Sequence, residues 1–201
     1  QMQNRIGILF ILISLVFTAY GQGSEADTSG YIPGDLDFNL IYACDKGYKE
    51  EVLRLIDSGA DVNGSLGNGV TPLMYAVQGG HLDIVKILVV NDAKVNNVPD
   101  NGMTAMTSAV LIDSLQIVEY LIRNGADVNQ SDRYKVTPLM QAIANGNYLM
   151  TDMLLYYDAD VSPADVRGTD ALMVASFLGL TDIANLLIEI GADVNSSDKR
   201  K

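Results

Sequence analysis

Apolar residues along this chain follow a helical period, in blocks that repeat. Ile84, Val85, Leu88 and Val89 fall at i, i+1, i+4 and i+5, and Ile117, Val118, Leu121 and Ile122 repeat that spacing 33 residues on. Such spacing puts the apolar side chains on one face of an α-helix. A shorter block precedes each of these. Ala76, Ala109, Ala142 and Ala175, again 33 apart, predict a first helix whose small residues let neighbouring helices approach closely. Thr71 and Thr137 stand where that helix begins, as N-caps, with Pro72 and Pro138 at its first position. Gly47, Gly80, Gly146 and Gly179 are placed to end the first helix, and Gly59, Gly125 and Gly191 the second.

Two strings keep one register throughout. GADVN occurs at 59–63, 125–129 and 191–195, and halving the step gives DAKVN at 92–96 and DADVS at 158–162. TPLM at 71–74 and 137–140 alternates with TAMT at 104–107 and DALM at 170–173, and erodes to FNLI at 38–41. Five copies therefore recur at a step of 33 with no insertion. A helix pair of this size cannot bury its own faces, and stacking the copies does so.

The order T-P-L, small residues, G-H, I-V-x-x-L and then G-A-D-V-N resembles the ankyrin repeat family, over residues 35–195. The resemblance implies an all-α ankyrin-repeat solenoid: five helix-turn-helix repeats, ten helices, joined by β-hairpin loops. The repeats fall at about 35–65, 66–98, 99–131, 132–164 and 165–197, within a domain spanning 35–198. It also implies that loop tips and first helices line a concave face. The family's His after T-P-L is replaced by Met74, Met140 and Met173, and by Thr107 and Ile41 in the other copies. The third copy has Asp113-Ser114 where G-H belongs, which leaves its turn and the direction of Leu111 and Ile112 open.

The start of the chain reads differently. Residues 6–17, IGILFILISLVF, follow Arg5 and precede the small residues Ala19 and Gly21. That is the layout of a cleaved signal peptide over 1–21. The run is shorter than the ~20 residues of a spanning helix, so no stable membrane insertion is expected after cleavage. Residues 22–34 read as a flexible leader. Export to the periplasm or the extracellular space follows as the expectation.

Charge narrows the partners. The net charge is −12, from 13 Lys+Arg against 25 Asp+Glu. That balance argues against binding nucleic acid, which needs clustered cations. Cys44 and His81 are each the only residue of their kind, so neither an internal disulfide nor a His-based metal site or triad is expected. Cys44 reads as a core residue and His81 as the structural G-H position. Asp35-Leu36-Asp37 and Asp158-Ala159-Asp160 do not continue into a calcium loop. The sequons at Asn63, Asn129 and Asn195 share one repeat position and read as turn residues. No catalytic residue, metal or cofactor is expected.

The resemblance therefore implies a non-catalytic protein–protein interaction module. Carrying the family's variable positions onto this chain gives a candidate partner-binding set: Met103, Leu111, Ile112, Arg133, Tyr134, Val136, Asn145, Arg167, Phe177 and Leu178. Apolar anchors beside an Arg are what binding hot spots favour. The alternative is a structural or assembly fragment of a longer repeat protein. Leu180, Ile183, Leu186, Leu187, Ile188 and Ile190 make the last helix apolar nearly all round. A helix of that kind wants cover on both sides, so the expectation is either a truncated sequence or a C-terminal repeat covered by a partner or a second copy.

Overall fold

A computed structural model describes residues 34–199. The expected signal peptide and all but the last residue of the expected leader lie outside the described residues. Ten helices run in sequence: α1 Leu36–Lys46, α2 Lys49–Asp57, α3 Pro72–Gln78, α4 Leu82–Val90, α5 Ala105–Leu111, α6 Leu115–Arg123, α7 Pro138–Ala144, α8 Tyr148–Tyr156, α9 Ala171–Leu178 and α10 Thr181–Glu189. They pair as five antiparallel hairpins, and each hairpin stacks on the next.

The caps explain where the first helices begin. Asp35 accepts the Phe38 N–H at 2.9 Å, Thr104 that of Thr107 at 3.2 Å, Thr137 that of Met140 at 3.2 Å and Asp170 that of Met173 at 2.8 Å. Each satisfies an amide that helix geometry leaves open. Thr71 holds the N-cap position of α3 but makes no capping bond, and its buried hydroxyl has no partner.

Every helix pair turns through the left-handed region. In the third repeat Asp113 takes φ 60° where the other copies have glycine. Asp tolerates that conformation better than most residues. Its carboxylate also accepts from the Asn147 side-chain amide of the following repeat. The unusual Asp113-Ser114 turn is thus built like the rest.

Packing follows the repeat. Ala43, Ala76, Ala109, Ala142 and Ala175 are fully buried, and their missing bulk lets first helices stack tightly. Leu55, Leu88, Leu121, Leu154 and Leu187 form the matching row on the second helices, each 0% exposed. Burying each contributes about 1.5–3 kcal/mol. Second helices touch one another less than first helices do. The outer row therefore fans apart, and the stack bends toward the first-helix side. Met74 and Met140 are buried in this core, so apolar packing stands where the family places its His, while buried Thr107 donates its hydroxyl to the Thr104 carbonyl at 3.0 Å.

Asparagine side chains join the repeats. Asn63 accepts the Lys94 N–H at 2.8 Å and donates to the Asp92 carbonyl at 3.1 Å. Asn129 accepts the Asp160 N–H at 2.8 Å. Asn63 and Asn129, both sequon residues, thus carry inter-repeat bonds. His81 makes a further tie, its Nε2–H donating to the Asp45 carbonyl at 3.1 Å. Its ring fills a slot where a Cβ on Gly47 or Gly79 would come within 2.6 or 2.4 Å of it.

Candidate protein-binding face

The loops between repeats stack through their backbones. Asp100 donates to the Asn68 carbonyl at 3.1 Å, Val166 to that of Tyr134 at 3.0 Å and Lys199 to that of Arg167 at 2.8 Å. Between the third and fourth loops Gly102 packs so closely that a Cβ would sit 2.5 Å from the Arg133 nitrogen. The loop tips therefore form one continuous edge.

Those tips are of two kinds. In the second and third loops Asn68 and Asn101 each accept one amide, from Val70 and Met103. In the fourth and fifth loops the turn is closed from further back. Asp132 accepts the amides of Tyr134 and Val136 at 2.8 and 2.9 Å, and Asp165 those of Arg167 and Thr169 at 2.8 and 2.9 Å. Backbone bonds from Asp132 to Val136 and from Asp165 to Thr169 close the neck. Ala164 and Asp170 add an isolated antiparallel bridge, and no longer strand forms among the described residues. Arg133-Tyr134-Lys135 and Val166-Arg167 are left projecting, all exposed.

The predicted face divides accordingly. Arg133 lies over the Tyr134 ring at 4.8 Å, a cation–π pair on a half-exposed tyrosine. Arg167 is exposed on the adjoining tip, so the structure brings these three together. Phe177 is 77% exposed at the end of α9. Asn145 is exposed and accepts from the Gln141 side-chain amide at 3.0 Å. Met103, Leu111 and Leu178 are half-buried and lie outside the core cluster. Val136 and Ile112 are half-buried against the core, so of the open pair Ile112 turns inward and Leu111 stays accessible.

Sequence reasoning passed over two groups. Tyr42 and Tyr75 share one first-helix position, 33 apart, and both are half-buried. Burial, and then the Asp45 charge, push the Tyr75 phenol above its usual range, while a hydrogen bond to Asn68 works the other way. Their shared register was the available signal. On the opposite side Leu149 and Tyr156 of α8 are 65% and 80% exposed, and the near-continuous apolar run YLMTDMLLY was the clue there.

Two shallow clefts, of about 290 and 340 Å³, open where second helices begin, one beside Gly47 and His81 and one beside Gly146 and Tyr148. Among the described residues no group of three or more His, Cys, Asp or Glu is placed to hold a metal. No described helix is long and apolar enough to cross a membrane.

A family model for ankyrin repeats (3 copies) matches residues 40–132 and 114–198, which together cover most of the chain. The chain belongs to the ankyrin repeat family. No curated protein matches it. Ankyrin repeats are protein–protein interaction modules and are generally non-catalytic, which agrees with a surface built of stacked tips and helix ends.

Proposed function

We propose that this ankyrin stack is an exported, non-catalytic adaptor that binds a partner protein through its concave side. The binding face runs from the tips of the fourth and fifth loops to Leu111 and Phe177 on the first helices. The observation that carries the reading is the Arg133–Tyr134 pair at 4.8 Å on an exposed tip, hydrogen-bonded through its backbone to the tip that bears Arg167. Arg and Tyr are enriched at interface hot spots, and a stacked Arg is already ordered before binding. The apolar run after Arg5 supports export.

Capture from the exported fraction, followed by titration of the captured protein, tests it. Tyr134→Ala, Arg133→Ala and Phe177→Ala should each weaken binding by about 1–2 kcal/mol. Lys86→Ala and Glu119→Ala, on the second helices, should leave it unchanged. Binding lost in the second set and kept in the first would overturn the concave reading. N-terminal sequencing of exported protein should begin near Gln22, and an intact start at Met2 would refute export by cleavage.

Assembly through the fifth repeat is a second reading, and the structure supplies an observation for it. Ile188, Ile190 and Val194 are 45%, 47% and 61% exposed, although Ile183 and Leu187 are buried and Leu186 half-buried. The same edge also exposes Ser176, at the position where Cys44, Val77, Val110 and Ile143 are buried between repeats. Sedimentation decides: a monomer at high micromolar concentration, with no dye-binding apolar surface, would dismiss self-association.

A further inference from the structure

The acidic balance of the chain hides a local reversal. Between residues 124 and 199 there are eleven Asp and Glu but only four Lys and Arg: Arg133, Lys135, Arg167 and Lys199. Arg133 and Lys135 sit on the fourth loop tip and Arg167 on the fifth, and Lys199 stands at the corresponding place after α10. Backbone bonds of 3.0 and 2.8 Å hold those loops side by side, and the Lys199 ammonium reaches back to the Val166 carbonyl at 3.2 Å.

Asp132, Asp165 and Asp198 share these tips, and none of them forms an ion pair with the four cations. Asp132 and Asp165 direct an oxygen at two loop amides each. Among the described residues the ion pairs are Lys46–Asp45, Lys49–Asp83, Arg54–Glu51 and Arg123–Glu119. None involves a tip cation. Tyr134 and Val166 stand exposed among the cations, so the stripe is mixed, basic and apolar.

We propose that this stripe recognises an acidic, extended segment of the partner protein, lying across the fourth and fifth loop tips and the backbone at Lys199. The inference rests on the concave-face reading above and specifies its chemistry. Stacked helices lie about 8–10 Å apart, and an extended polyproline-II chain rises about 3.1 Å per residue with three residues per turn. Carboxylates three residues apart therefore share one face of such a chain and meet successive tips. A polyphosphate fits less well, because tight binding there uses some 6–10 cation contacts. Four cations in a field of charge −12 fall short of that.

The test is a titration of the isotopically labelled full chain with a 12-residue peptide carrying Glu at every third position and Ser or Tyr between. Amide shifts should move at 133–135 and 166–168. They should shrink by at least tenfold in apparent affinity with the Gln-substituted peptide, and weaken when the same Glu residues are clustered together. Arg133→Gln combined with Lys135→Gln and Arg167→Gln should remove the response at an unchanged melting temperature, whereas Lys46→Gln should not. No shifts at these residues, equal shifts with the Gln peptide, or tighter binding of a dT 12-mer would each overturn the proposal. The broader reading fails separately, when Tyr134→Ala and Phe177→Ala leave capture of the natural partner intact.

Discussion

Asn96 holds Asp127 of the next repeat: its Oδ1 accepts the Asp127 backbone N–H at 2.8 Å, while its Nδ2 donates to the Gly125 carbonyl at 2.8 Å. One side chain thus satisfies a donor and an acceptor in the turn that ends α6. Each such bond contributes about 0.5–1.5 kcal/mol net. Asn96→Ala should lower stability by about 1–2 kcal/mol, with little loss of helical dichroism before the transition. Asn96→Asp keeps the acceptor and loses the donor, and should fall between. An unchanged denaturation midpoint for the Ala variant would show that water replaces the tie at no cost.

The fourth copy lacks this device. Ser162 stands where Asn63, Asn96 and Asn129 stand, and its side chain is too short to reach the next turn. By the register of the other copies, an Asn there would face the Asp193 amide and the Gly191 carbonyl. Ser162→Asn should stabilise the last seam by about 0.5–1.5 kcal/mol. In a stack whose repeats contact only their neighbours, that gain appears first as slower hydrogen exchange in α10. Faster exchange of the Asp193 amide would count against it.

Much of this is legible in the sequence. The step of 33, the paired helices and the buried Ala and Leu rows follow from apolar spacing, because a stack must present the same face at every step. The sequence marks Thr71 as a cap, yet it makes no capping bond, since hydroxyl direction depends on rotamer and not on sequence. The Asp113 turn stays open in the sequence because Asp adopts both ordinary and left-handed backbone, the latter also at Asp92 and Asp158. The Asn ties look like turn chemistry in the sequence, since a bond to a residue about 30 positions away has no local signature. The tip cations were visible singly, as Arg133 and Arg167. Their common edge needed the loop stacking, and so did the diversion of Asp132 and Asp165 to backbone amides.

Gly102 and Gly125 both have positive φ, 75° and 84°, yet their surroundings differ. A Cβ at Gly125 meets nothing within 4 Å, whereas at Gly102 it would stand 2.5 Å from the Arg133 nitrogen. Gly125→Ala should cost only backbone strain, about 1–2 kcal/mol. Gly102→Ala adds a clash with backbone that has no flexible end to move. It should cost more, and should shift the amide resonances of 132–135 by separating the third and fourth loops. Equal losses in the two variants would mean the loop edge is less tightly stacked than its geometry.

Cys44 gives a pH-dependent test of the first repeat. It is fully buried in α1, and burial first, then the Asp45 charge, push its thiol from the usual 9.0 to about 12. The folded state therefore keeps the proton where the unfolded chain releases it. Its contribution to stability is complete below pH ~8.5 and declines as pH rises toward 12. The decline is about 1.4 kcal/mol for each pH unit within that window. Tyrosines and lysines also titrate there, so the comparison must be with Cys44→Ala, which keeps them all. The difference in denaturation midpoint between wild type and Cys44→Ala should be constant from pH 6 to 8 and shift against the wild type from pH 9 to 10.5. Labelling by a thiol reagent at pH 8 should likewise proceed only at the rate of opening. Rapid labelling of the native chain, or a midpoint difference that stays flat up to pH 10.5, would show that the thiol ionises in place and that the α1 core admits water.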